Sequence, residues 1–88
     1  MNGDDLYDFA QSVASRNNFV SFVELLNQNL KTHSDEWANG DLQGFLEGLS
    51  VFTSDMEGYY KNMGEDVDVE AISWRMMAQM LLAAKVCS

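Results

Sequence analysis

From Gly40 to Asn62 the apolar residues recur at about 100° per residue, and a segment of this length with that period fits one regular element, a long α-helix. Leu42, Phe45, Leu46, Leu49, Phe52, Met56, Tyr59, Tyr60 and Met63 gather on one side of it, and that stripe requires a core. Gly40, Gly44, Gly48, Val51, Asp55 and Gly58 gather roughly opposite. Each glycine costs a helix up to about 1 kcal/mol against alanine, so the stripe asks for an explanation. Three remain open: a helix of the same chain crosses closely at Gly44 and Gly48, a partner chain uses the face, or the glycines are tolerated. Asp41, Glu47 and Asp55 exclude a bilayer, so the four-residue spacing resembles the membrane-helix motif only superficially.

The chain has no proline, and helix boundaries must come from Gly, Asn, Asp and Ser. A first amphipathic helix is expected after Asp4 or Asp5, with Leu6, Phe9, Ala10 and Val13 at helical spacing. Ser15 reads as the N-cap of a second, with Phe19, Phe22, Val23, Leu26 and Leu30 facing the core and an end near Lys31 to His33. Trp37 is expected to plug the top of the core. Asn39-Gly40-Asp41 reads as the turn or cap before the long helix, and Gly64 as its C′ residue. An acidic linker, 65–70, then arches over the surface to a final helix. That helix is capped by Ser73 or begins nearer Asp68, and carries Trp74, Met77, Ala78, Leu81 and Leu82. Ile72, Met76 and Met80 add a second apolar strip to it, so it is either sandwiched centrally or covered by another chain. The expected fold is all-α, a small bundle of about four helices, three long and one shorter, without a sheet.

Eighty-eight residues make one domain, 1–88, whose core must use nearly every apolar side chain. The hydrophobic share of 47% argues against disorder despite a net charge of −9. With 14 acidic against 5 basic side chains, the field repels nucleic acid and anionic membrane surfaces and attracts a basic protein. The opening residues lack a secretory pattern and no stretch is apolar enough to span a bilayer, so a cytoplasmic location is expected. Cys87 is the single cysteine, which rules out an intrachain disulfide.

No constellation in the sequence calls for catalysis, a metal or a cofactor. His33 is alone among polar residues, without the further His or Cys ligands of a metal site or the nucleophile and carboxylate of a triad. Glu47, Asp55 and Glu57 fall on polar parts of the long helix, where charge serves solubility. Tyr59 and Tyr60 point about 100° apart, so one is expected in the core and the other at its edge; the edge tyrosine, beside Gly58, is read either as core edge, the favoured reading, or as a protein-binding anchor. The methionines of the later half fill the core or line an adaptable groove.

Taken together, Trp37, Leu42, Gly44-Phe45-Leu46-Glu47-Gly48-Leu49, Asp55-Met56-Glu57-Gly58-Tyr59-Tyr60, Asn62, Gly64, Ser73-Trp74 and Leu81-Leu82-Ala83-Ala84 carry a resemblance. From about Ser15 to its end the chain resembles a widespread family of small acidic bacterial proteins of unknown function. The resemblance implies a stand-alone cytoplasmic helical domain and brings no catalytic residues with it. Such proteins often travel on mobile elements or beside toxin genes, which is an association and not a mechanism. The family tends to carry proline before the Ser-Trp pair, where this chain has Val69-Glu70-Ala71-Ile72.

The leading expectation is a non-enzymatic protein-interaction module, of an immunity or regulatory type, whose acidic surface steers it to a basic partner. Its candidate contact residues are Trp37, Asp55, Glu57, Gly58, Tyr59 and Trp74. A homodimer that completes its own core is the second reading, and an enzyme the third.

Overall fold

The computed structural model describes residues 3–86, with side chains from residue 5 onward. Four α-helices follow in order: α1 (Gly3–Ser12), α2 (Arg16–Thr32), α3 (Leu42–Asn62) and α4 (Trp74–Ala84). A 3₁₀ turn at Ser34–Glu36 separates α2 from α3, and there is no strand among the described residues. The all-α architecture is the expected one.

Three of the helices begin where a side chain satisfies the otherwise orphaned N–H groups of the first turn. The Ser15 hydroxyl accepts from the Asn18 N–H at 3.1 Å, the Asp41 carboxylate from the Gly44 N–H at 2.6 Å, and the Ser73 hydroxyl from the Met76 N–H at 3.1 Å. α1 instead starts at Gly3, ahead of the Asp4 or Asp5 start. α3 ends in a complete Schellman motif: Gly64 takes φ +74°, its N–H donates to the Lys61 carbonyl at 3.0 Å, and the Glu65 N–H donates to the Tyr60 carbonyl at 2.9 Å.

α4 is the centre of the molecule, packed against α1, α2 and α3, while the backbone of α3 approaches neither α1 nor α2. Its two sides feed two clusters. Ala78 meets Leu6, Ala10, Val13, Phe22 and Leu26, with Trp37, Leu81 and Leu82 at the margin. Met76, two residues away and so roughly opposite, meets Met56 and Tyr60, with Phe52, Val67, Val69 and Met80 alongside. The wide apolar arc of α4 is therefore sandwiched within the chain. Val67 and Val69 also correct the expectation of a linker that only arches over the surface, since their alternation with Asp66, Asp68 and Glu70 turns both valines inward.

The long stripe of α3 is only partly covered. Leu42, Leu46 and Met63, expected in the core, are 73%, 52% and 49% exposed, and Val23 of α2 is also exposed. Length explains it: α3 has 21 residues against 11 in α4, about 31 Å against about 16 Å, so both ends of α3 overhang the helix they pack on. Cys87 lies outside the described residues.

The glycines do not share one cause. Gly48 is buried. A Cβ at Gly44 would stand 2.9 Å from the Asp41 carboxylate that caps the helix, so a larger residue there would press on the capping side chain. Nothing lies within 4 Å of a Cβ at Gly58, an exposed position inside a helix. Gly58→Ala should therefore raise the free energy of urea unfolding by about 0.5–1 kcal/mol. Gly64→Ala, forced into left-handed backbone, should lower it by about 1–2 kcal/mol. Equal effects of the two changes would contradict this division.

Candidate interaction surface

The six residues nominated from the sequence occupy different parts of the surface. Trp37 is half-buried where the 3₁₀ turn meets α3; its indole N–H donates to the Asn29 side-chain oxygen at 2.7 Å, and its ring stacks on Phe45 with centroids 6.2 Å apart. The Lys85 ammonium lies 5.7 Å from the same ring centroid, a cation–π contact that occupies this otherwise buried lysine. Asn39 ties the region to the end of α4: its side-chain amide donates to the Ala84 carbonyl and its backbone N–H to that of Lys85, both at 3.0 Å. Trp37 thus closes the top of the core, as expected.

Trp74, at the other end of α4, is 41% exposed and packs on Phe19 with ring centroids 5.5 Å apart. It borders a wide, shallow depression with Ser12, Val13, Ile72 and Met77. Asp55, Glu57 and Gly58 are exposed on α3, where Glu57 pairs with Lys61 at 3.0 Å. An exposed i, i+4 pair of this kind contributes only about 0.3–0.5 kcal/mol. On α3 Asp55, Gly58 and Tyr59, at i, i+3 and i+4, share one face, while Glu57 lies well round the helix from them. Trp37 and Trp74 stand apart from that face, near opposite ends of α4, so the six do not form one site.

Tyr59 and Tyr60 divide as their spacing requires. Tyr60 is buried, its hydroxyl bonded to the Gln79 side-chain oxygen at 2.5 Å, and Tyr59 is half-buried, edge-on to both Tyr60 and Phe52. Arg75 lies over the Tyr60 ring at 5.9 Å and donates to the Glu65 carboxylate at 2.7 Å. Sequence reasoning missed Arg75 and Gln79. Their i, i+4 spacing on α4, one beside the acidic linker and one opposite Tyr60, was the available signal.

Burial is the main influence that pushes both tyrosines above their ordinary value of 10.0; the adjoining Tyr7 hydroxyl adds to it for Tyr59, and Arg75 opposes it for Tyr60. The Glu65 hydrogen bond holds Arg75 still more firmly charged. Among the described residues no three His, Cys, Asp or Glu side chains are placed to hold a metal, and no helix is long and apolar enough to cross a membrane.

A family model described as a family of unknown function, DUF7660, matches residues 15–87. The chain belongs to that family. No curated protein and no solved structure matches the chain significantly. The DUF7660 match takes in Trp37, Asn39, Tyr60, Arg75 and Gln79, and with them the whole α3–linker–α4 unit; α1 lies ahead of it.

A tyrosine whose folded-state value is raised contributes stability that is complete below pH 10 and is lost as pH climbs through the folded value. Unfolding free energy should accordingly hold level through neutral pH and fall in the alkaline range. Tyr60→Phe leaves the buried Gln79 oxygen without its donor and should cost about 1–3 kcal/mol at pH 7. The variant should also show a shallower alkaline decline. An identical alkaline profile would place the titrating group elsewhere.

Proposed function

We propose that the chain is a non-enzymatic protein-interaction module that binds a basic partner in the cytoplasm, in an immunity-type or regulatory role. The observation that carries this reading is the distribution of its few cations. Of five Lys and Arg side chains, Lys61 and Arg75 are in ion pairs and Lys85 is drawn under Trp37, against 14 acidic residues in all. Asp55 and Glu57, with most other carboxylates, face water. A surface so unbalanced speeds the approach of a basic partner and slows that of an acidic one.

A self-associating homodimer is the second reading, favoured by the exposure of Leu42 and Leu46. Light scattering under reducing conditions separates the two: a monomer across a range of concentrations supports the interaction module. For the basic partner, affinity capture at low ionic strength should retain a protein that is released as salt shortens the screening length to about 8 Å and below. The double change Asp55→Asn with Glu57→Gln should weaken that retention severalfold while costing no more stability than the roughly 0.3–0.5 kcal/mol of the Glu57–Lys61 pair. Retention that ignores both salt and the double change would sink the electrostatic reading.

A further inference from the structure

α2 and α3 each pack on α4, yet their backbones do not meet, and the gap between them is an open apolar trough of about 230 Å³. Val23, Leu26 and Leu30 form its α2 wall, Phe45 stands on the α3 side, and Trp37 closes one end. On α3, Leu42, Phe45, Leu46 and Leu49 follow the i, i+3, i+4, i+7 rule and so make one row. The two flanking leucines, Leu42 and Leu46, are the most exposed of the row at 73% and 52%. A trough between two helices, with exposed leucines to either side of Phe45 on the helix that bounds it, has the form that receives the apolar face of a third helix.

Charge identifies which helix. Asp41 lines the trough, and Asp35 and Glu36 precede Trp37 at its end; all three are exposed. Against them stands Lys31, next to Leu30, while Lys85 is held under the Trp37 ring. A second copy of the chain would bring −9 against −9. We propose that the trough seats a cationic amphipathic helix of the partner protein, with apolar anchors against Leu42, Leu46 and Trp37 and lysines or arginines toward the surrounding carboxylates. This rests on the basic-partner reading and adds the place of contact and the conformation of what binds.

The test uses the full chain carrying Trp74→Phe, so that Trp37 is the single tryptophan, and two synthetic 14-residue peptides of equal positive charge. One is an amphipathic Leu–Lys helix and the other a Lys–Ala sequence without leucine anchors. The Leu–Lys peptide should shift Trp37 emission, gain helical circular dichroism on binding, and bind at least about tenfold tighter than the Lys–Ala peptide. Leu42→Asp with Leu46→Asp should weaken it about tenfold although the change adds negative charge, and Val51→Asp, at an exposed position on the opposite side of α3, should not weaken it. All three positions are exposed, so the fold should survive, as thermal unfolding of each variant will show.

Equal binding of the two peptides, unaffected by the leucine changes, overturns the trough and leaves the basic-partner reading standing. Failure of both peptides to bind at low salt overturns both. A dimer in light scattering that dissociates on Leu42→Asp with Leu46→Asp gives the trough to a second copy, and also overturns the proposal.

Discussion

α4 must satisfy three neighbours at once, because α1, α2 and α3 all pack on it and the backbone of α3 approaches no other helix. An eleven-residue helix can do this only by being apolar nearly all the way round, and by being small where its neighbours press closest. Ala78 and Ala84 are completely buried, and Ala78 admits Phe22 and Leu6 to the same cluster. The longer Met76 reaches the other way to fill the space beside Met56 and Tyr60. The polar Gln79 is tolerated in this setting because the Tyr60 hydroxyl gives its oxygen a partner.

The turn from α3 into α4 is fixed by one local accident of backbone and two charges. Gly64 reverses the chain with positive φ, and the next residue, Glu65, spends its N–H on the Tyr60 carbonyl and its carboxylate on Arg75. Arg75 in turn lies over the Tyr60 ring, so the end of α3, the linker and the first turn of α4 converge on a single side chain. The ion pair is half-buried, with side chains 25% and 31% exposed, where screening is weaker than for the open Glu57–Lys61 pair. Its part is to hold geometry: with Arg75 fixed, Gln79 one turn later comes to face the Tyr60 hydroxyl.

Periodicity and capping chemistry are local, and what they control was legible in the sequence: the Ser15, Asp41 and Ser73 caps, the Gly64 reversal, the division of Tyr59 from Tyr60, and the absence of strands. What depends on the relative lengths of elements was not. Nothing within α3 says that the helix beneath it is half as long, so Leu42 and Leu46 read as core when they overhang it. The glycine stripe misled for a related reason, since a helical wheel groups Gly44, Gly48 and Gly58 by angle although one sits against a capping side chain, one is buried and one faces water. Of the nominated surface residues, Trp37 borders the trough, whereas Asp55, Gly58 and Tyr59 share a face of α3 and Glu57 lies round the helix from them.

The two sides of the α2–α4 pair are treated differently. On one side Phe22, Leu26 and Ala78 are sealed by Leu6, Ala10 and Val13, all of which precede residue 15, where the DUF7660 match begins. On the other side α3 stands off from α2, and Val23, Leu26 and Leu30 face a gap. Leu26 belongs to both surroundings: it is a core residue of the sealed cluster and a lining residue of the open one. α2 is therefore a thin partition, one helix thick, with a finished core behind it and an unfinished one in front. A ligand that filled the trough would pack against the far side of side chains that already hold α1 in place, so its occupancy would stabilise the α1–α2–α4 core as well.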